Sequence, residues 1–143
     1  MKQATVLAAA LAVLFFGLVN LGNAATLVAR VDVGSQTMTV SPDGRVIHYW
    51  KVSTARKGYV TPRGSYRPQR LYRMWHSRKY DNSPMPYSVF YNGGYAVHGT
   101  GYVKSLGRPA SHGCVRLATS DAKRFYDLVQ RHGRNNVQII LAN

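Results

Sequence analysis

One histidine and one cysteine with glycine neighbours are the residues of this 143-residue chain best suited to chemistry. Ser111–Arg116 reads Ser-His-Gly-Cys-Val-Arg, and a glycine-containing basic loop connects it to His98. A cysteine attacks carbonyl carbons as its thiolate, and a nearby imidazole or positive charge favours that form. Gly113 allows the backbone N–H groups beside Cys114 to approach a substrate and stabilise an oxyanion. The pattern therefore indicates acyl transfer.

The same side chains allow two other roles. Cys114 is the only cysteine of the chain, so it cannot form an internal disulfide, and a buried inert thiol is the simplest alternative. His98, His112 and Cys114 could instead bind zinc, because imidazole and thiolate are good zinc ligands. The segment contains no acidic residue to act as a base for zinc-bound water. Zinc chemistry is therefore the weaker interpretation.

The composition excludes several classes of protein. With 45% hydrophobic residues the chain can bury a core, and its length suits one domain of ordinary size. All five acidic residues are aspartates. Glycosidases that use a glutamate pair, and metalloproteases that use a glutamate base, are therefore excluded.

The segment from His98 to Arg116 closely resembles the signature of the L,D-transpeptidase catalytic domain. That signature is a histidine, a loop of about this length, and then Ser or Thr, His, Gly, Cys, an apolar residue and Arg or Asn. Every position of it is filled in this chain. The resemblance covers nearly all of the chain after residue 24, through Val31–Val33, the hairpin around Gly44, Val52–Thr54, Thr61–Gly64 and Gly93–His98.

The resemblance implies a reaction on peptidoglycan stem peptides, with Cys114 as the nucleophile and His98 as the general base and acid. Cys114 would attack the carbonyl of the third residue of a tetrapeptide stem, release the terminal D-alanine and form a thioester. An amine of a neighbouring stem would then make a 3→3 cross-link. With water as the acceptor the enzyme would be a carboxypeptidase, and D-amino-acid exchange or attachment of a wall protein would use the same site. No metal or organic cofactor is implied.

The neighbours of these two residues receive supporting roles. His112 is expected to orient the site or act electrostatically, because it lies on the same turn as Cys114 and need not point at the sulfur. Ser111 is expected to fix this turn, and Gly113 to shape the oxyanion site. The residues expected to bind substrate are Arg116, Gly99 and Thr100.

Short alternating segments predict a mainly β domain that positions these residues. Apolar and polar residues alternate in the first of them, as they do in a half-buried strand. Pro42, Asp43 and Gly44 are turn residues between the second and third segments and predict a β-hairpin. The predicted strands are Leu27–Val33, Thr37–Val40, Val46–Val52, Gly64–Leu71, Tyr87–Tyr91, Tyr95–Val97 and Val137–Leu141.

One helix is predicted near the C-terminus. Thr119 and Ser120 are typical of a helix cap, Asp121 of the first turn, and Gly133 of a helix end. The apolar residues between them share one face and would cover the sheets. We therefore expect one compact domain, residues 25–143, that is a β sandwich or barrel with one covering helix.

A basic stretch with three aromatic residues is predicted to be a loop. Tyr72, Trp75 and Tyr80 are interspersed with arginine, lysine and histidine residues. The aromatic rings would line a groove or pack in the core.

The first 24 residues predict a secretory signal peptide. Lys2 precedes an apolar run, Val6–Val19, and small residues at Gly22 and Ala24 suit a cleavage site. An uncleaved membrane anchor is the alternative, although the run is shorter than the about 18 apolar residues of a spanning helix. We therefore expect cleavage after Ala24 and export to the periplasm or cell wall.

The net charge of +14 falls to +13 when Lys2 is removed with the predicted signal peptide, and this charge predicts attraction to an anionic surface of the cell wall or membrane. A non-enzymatic binder of nucleic acid or of an anionic envelope polymer is the alternative, and ten tyrosines are available for stacking. The basic residues are spread along the chain and form no long run. We therefore expect no dedicated nucleic-acid site.

Overall fold

The computed structural model describes residues 26–143, so the predicted signal peptide lies outside the described residues. Nine strands and one α-helix form this part of the chain, which confirms the predicted mainly β fold with one helix. They are β1 (Leu27–Asp32), β2 (Thr37–Pro42), β3 (His48–Lys51), β4 (Gly64–Tyr66), β5 (Arg70–Ser77), β6 (Ser83–Asn92), β7 (Tyr95–Thr100), β8 (Val115–Ala118), α1 (Thr119–His132) and β9 (Val137–Ala142). No helix within this range is long and apolar enough to cross a membrane.

The first sheet has five strands in the order β3-β2-β1-β9-β4. Its first three strands are antiparallel neighbours, and the predicted hairpin joins β2 to β3. Asp43 and Gly44 have φ values of 51° and 80° in that connection, a left-handed conformation that glycine adopts at no steric cost. The last strand returns to pair in parallel with β1.

The second sheet has four strands in the order β5-β6-β7-β8 and carries the candidate site. β6 and β7 form an antiparallel hairpin, and β7 pairs in parallel with β8. Both strands of that parallel pair have one face toward the main core, where Val97 and Val115 are fully buried. The opposite face holds a smaller apolar cluster of Met85, Phe90 and Ala96.

The main core lies between the two sheets and the helix. Phe125 and Val129 of α1 are fully buried there, together with Ile139 and Leu141 of β9. Burying large apolar side chains from both sheets and the helix ties the three layers together. This packing gives β7 and β8 a fixed support.

The predicted strand Gly64–Leu71 is wrong as a single element. The structure divides it into β4, which pairs with β9 of the first sheet, and β5, which pairs with β6 of the second sheet. Pro68 lies between them and is buried. A proline lacks the N–H of a ladder hydrogen bond, which explains why the strand stops and the chain changes sheet here.

The predicted loop around Tyr72 and Trp75 is also wrong, because both residues lie in β5. Exposed Arg73 follows Tyr72 in this edge strand, and exposed His76 follows Trp75. Their polar side chains hide the strand from an apolar pattern, whereas the backbone pairs with β6 along almost its whole length. Tyr80 follows in a short 3-10 helix, Arg78–Tyr80, at the tip of the β5–β6 hairpin.

The sequence pattern missed β8 and misplaced the start of the helix. Val115 and Leu117 of β8 are buried and alternate with half-buried residues, but four residues are too few for a clear period. The helix begins directly after this strand with Ala118 at its N-cap, and no side chain caps it. The predicted end at Gly133 is confirmed.

Candidate active site

The parallel pairing of β7 and β8 brings the predicted catalytic residues together. Val97 lies beside Val115 and His98 beside Arg116, so Cys114 comes next to Ala96. Successive side chains of a strand point to opposite faces. With both valines toward the main core, His98 and Cys114 lie on the other face as diagonal neighbours.

His98 is buried, with 6% of its surface exposed, and its ring is held by the strand itself. Its Nδ1 lies 2.7 Å from the carbonyl oxygen of Gly99. A carbonyl only accepts hydrogen bonds, so Nδ1 carries the proton and donates, which leaves Nε2 as a proton acceptor. Burial lowers the pKa of His98 to about 4, against a smaller raising effect of the Gly99 hydrogen bond, with the Arg116 charge lowering it further. The imidazole is therefore a neutral base at neutral pH.

Cys114 is half-buried beside the smaller apolar cluster. The N–H of Ala96 lies 3.4 Å from its Sγ, and the carbonyl oxygen of Gly94 lies 3.8 Å from it. Burial raises the pKa of the Cys114 thiol, and this outweighs the lowering effects of the Ala96 N–H and the Arg116 charge. The Arg116 charge thus lowers the pKa of the thiol, as the sequence predicts for a nearby positive charge. Burial outweighs this effect, so the resting side chain is a thiol that needs a base.

A network of hydroxyl groups fixes the turn that holds Cys114. The buried Ser111 donates through Oγ to the carbonyl oxygen of Cys114 at 2.6 Å and accepts from the N–H of Gly113 at 3.0 Å. Thr61 donates through Oγ1 to the carbonyl oxygen of Gly113 at 2.8 Å and accepts from the N–H of Ala55. The turn is therefore bonded both to itself and to the segment that follows β3.

Gly113 is required by both backbone angle and space. Its φ is +136°, and a Cβ at this position would lie 2.6 Å from Cε1 of Tyr95 and 2.8 Å from the carbonyl oxygen of Val60. Any side chain would have to displace an aromatic ring and a backbone group. The N–H of Gly113 is already bonded to Ser111, whereas among the described residues the N–H of Cys114 has no backbone or side-chain partner. The oxyanion donor expected here is therefore the N–H of Cys114.

His112 points into a group of aromatic rings. Its ring stacks on Tyr80 at 4.0 Å between centroids with an angle of 10°, and meets Tyr59 edge-on at 4.8 Å. Burial lowers the pKa of His112, and the charges of Arg56, Arg116 and Lys79 lower it further. His112 thus connects the tip of the β5–β6 hairpin to the turn that holds Cys114.

The three residues expected to bind substrate lie in different environments. Arg116 is half-buried, and its guanidinium lies 3.4 Å from the carbonyl oxygen of Ala110. Gly99 and Thr100 are buried at the end of β7, where a Cβ on Gly99 would lie 2.9 Å from Cα of Thr119. This location favours a packing role for the latter two.

Sequence reasoning missed several residues of the site because they are distant in the chain. Tyr80 stacks on His112, Tyr59 meets it edge-on, and Tyr95 packs against Gly113. Arg56 donates its backbone N–H to the carbonyl oxygen of Ser111 at 2.9 Å. Only the aromatic composition of the basic stretch pointed to any of these contacts.

The zinc alternative requires the side chains of His98, His112 and Cys114 to converge on one point. Within residues 26–143 no group of three or more His, Cys, Asp or Glu side chains is arranged to hold a metal ion. The stacking of His112 on Tyr80 accounts for this, since it directs the ring into the aromatic group.

With this geometry, the chain is a β domain whose buried histidine and half-buried cysteine share one sheet face. The family model of the YkuD L,D-transpeptidase catalytic domain matches residues 27–139, and the chain belongs to this family. A comparison with curated proteins gave no match.

Solved structures of the same class have the same fold. An L,D-transpeptidase from Mycobacterium smegmatis is 26% identical over 83% of this chain and 59% of its own, with a TM-score of 0.73. One from Stackebrandtia nassauensis is 28% identical over 82% of this chain and 56% of its own, with a TM-score of 0.72. One from Xylanimonas cellulosilytica is 27% identical over 83% of this chain and 61% of its own, with a TM-score of 0.70. The chain thus spans about three fifths of the length of these structures.

Proposed function

We propose that this protein is an exported peptidoglycan L,D-transpeptidase with Cys114 as its nucleophile and His98 as its proton carrier. The pairing of β7 with β8 is the observation that supports this most, because it makes the two side chains diagonal neighbours on one face. Membership of the L,D-transpeptidase family supplies the reaction class. The inert-thiol alternative is disfavoured by the half-exposed position of Cys114 beside a buried base.

The first half-reaction is acylation of the enzyme. Nε2 of His98 takes the Cys114 proton as the sulfur attacks the carbonyl carbon of the third stem residue. The oxyanion accepts a hydrogen bond from the N–H of Cys114. The C–N bond to the terminal D-alanine then breaks, and the amine of D-alanine leaves with the proton from His98. The product is a thioester on Cys114.

The second half-reaction transfers the acyl group. His98, neutral again, takes a proton from the attacking amine of a neighbouring stem, and the Cys114 sulfur leaves and regains a proton. The result is a 3→3 cross-link. Water in place of the amine gives a carboxypeptidase, and a D-amino acid or a wall protein would enter in the same way.

The remaining site residues position these groups. Ser111 and Gly113 hold the turn, and Arg116 shapes the site and contacts a substrate carboxylate. Gly99 orients the imidazole through its carbonyl, with Thr100 packed beside it. We propose cleavage of the signal peptide after Ala24, the domain at residues 25–143, and action in the periplasm or cell wall.

The proposal is tested by incubating the purified protein with tetrapeptide muropeptides and separating the products by mass spectrometry. Release of D-alanine with formation of cross-linked dimers supports transpeptidation. Trimmed monomers alone identify a carboxypeptidase, and unchanged substrate refutes the proposal. Supplying a D-amino acid in excess shows whether exchange competes with cross-linking.

A further inference from the structure

Three cationic side chains converge on the turn that holds Cys114, and we call them the basic cluster: Arg56, Lys79 and Arg116. They come from three separate parts of the chain. The guanidinium of Arg56 lies 5.1 Å from the centre of the Tyr59 ring, and Nζ of Lys79 lies 5.5 Å from the centre of the Tyr80 ring. These are the two rings that contact His112.

The basic cluster has no acidic partner within the described part of the chain. The two ion pairs found there both lie on α1, between Lys123 and Asp127 and between Arg124 and Asp121. Asp81 follows the hairpin tip but lies beyond ion-pair distance of the cluster. Like charges gathered without a counter-charge destabilise a fold, so their convergence indicates an anionic ligand.

The location of the cluster relates it to the nucleophile. Arg116 follows Cys114 by two residues in β8, and Arg56 is bonded through its backbone to Ser111 at the start of the turn. Lys79 approaches from the hairpin tip, where Tyr80 stacks on His112. The side chains of Arg56 and Lys79 are exposed and can meet a ligand bound at the turn.

We propose that Arg56 and Lys79, together with Arg116, bind a carboxylate of the donor stem and select stems in which it is free over stems in which it is amidated. Guanidinium groups bind carboxylates in a bidentate manner, and an ammonium adds a point charge. The carboxylate belongs to the side chain of the third residue or to the terminal D-alanine. This inference rests on the proposed function and states which donor stems its site selects.

The test compares three synthetic tetrapeptide stems. One has both carboxylates free, one has the side-chain carboxylate of the third residue amidated, and one ends in D-alaninamide. We expect amidation at the recognised position to lower kcat/KM for amine release by roughly tenfold or more, the scale of a charge-assisted hydrogen bond. The position at which amidation lowers kcat/KM identifies the recognised carboxylate. If amidation at neither position lowers kcat/KM, the inference is overturned.

The variants Arg56→Gln and Lys79→Gln show whether the cluster makes this selection. Each is expected to raise KM for the free stem by a larger factor than KM for the amidated stem. Lys57→Gln and Arg78→Gln are matched controls, because they remove the same charge from exposed neighbouring residues. Equal losses in variants and controls, or equal losses on free and amidated stems, would refute the inference.

The outcome is distinguishable from failure of the proposed function. Wild-type protein that releases D-alanine but shows no carboxylate selection retains the function and refutes only the inference. Wild-type protein that processes none of the three stems refutes both. Thermal melting of each variant checks that the exposed substitutions leave the fold intact.

Discussion

His98 is poised by burial and by one hydrogen bond. Its ring lies in the sheet with Nδ1 bonded to Gly99, and burial lowers its pKa to about 4. A neutral imidazole can take a proton from the Cys114 thiol, whose own pKa is raised by burial. In the proposed mechanism the resting pair is therefore neutral, and charge separates only as the sulfur attacks.

The buried histidine makes stability depend on pH. The unfolded chain binds a proton at His98 near pH 6.5, whereas the folded chain does so only near pH 4. Between these values the unfolded state binds more protons, so the free energy of unfolding decreases as the pH falls, by about 3 kcal/mol at most. We expect His98→Gln to flatten this decrease in urea titrations between pH 7 and 4.

His76→Gln is the control, because it removes an exposed histidine of β5. It should leave the wild-type pH dependence of stability intact. If wild type and His98→Gln lose stability in parallel, then His98 is not held neutral by the fold.

At this scale the sequence predicted the residues that are close together in the chain. His98 and Ser111–Arg116 could be found because their types and spacing form a motif. The roles of Arg56 and Tyr59 could not be predicted, and Tyr80 was expected only to line a groove or pack in the core, since each reaches the site through contacts that are set by the whole fold.

The turn between the loop and β8 is the element that presents Cys114, the proposed nucleophile. Its geometry depends on Gly113, where a Cβ would overlap Tyr95 and the backbone of Val60. Gly44 offers a comparison, because it also has a positive φ but would meet nothing within 4 Å. Comparing substitutions at these two glycines therefore separates the cost of an unfavourable backbone angle from the cost of steric overlap.

We expect Gly44→Ala to cost about 1 kcal/mol of stability through its backbone angle alone. Gly113→Ala should cost about 1 to 3 kcal/mol more because of overpacking, and should abolish most acylation. Urea unfolding and an acylation assay measure both effects. Equal destabilisation by the two substitutions would contradict the packing described for the turn.

The β5–β6 hairpin is a second element that shapes the site, and His112 attaches its tip to the turn. We expect His112→Ala and Tyr80→Ala each to lower stability by about 0.5 to 1.5 kcal/mol through loss of the stacked pair, and to lower activity as well. The double variant should lose less than the sum, as residues in contact do. Additive losses in the thermodynamic cycle would show that the rings do not stabilise each other.

At the level of elements, sequence patterns predicted the strands with clean alternation and failed where another constraint dominated. β1 and β9 were found because their apolar residues face one core. β5 was missed because its exposed face is basic, and the division at Pro68 was missed because sheet membership is a tertiary property.

At the level of the whole molecule, 19 basic residues outnumber 5 acidic residues and are spread along the sequence. We propose that this charge, +14 for the whole chain and +13 once Lys2 is removed with the signal peptide, concentrates the protein at an anionic cell wall or membrane. Raising the salt concentration from low to physiological should then weaken sedimentation with whole sacculi far more than it slows turnover of soluble muropeptides. Equal salt sensitivity of the two would indicate that the charge acts within the site alone.

The central claim is that Cys114 forms a covalent acyl-enzyme, and it is tested most directly by the intact mass of the protein after reaction with a carbapenem. The strained lactam carbonyl acylates a thiol without losing a leaving group, so the adduct adds the whole mass of the inhibitor. We predict this mass increase on wild-type protein and its absence on Cys114→Ala, which should remain folded because the half-buried side chain is small. An adduct on Cys114→Ala, or D-alanine release by that variant at the wild-type rate, would contradict the account.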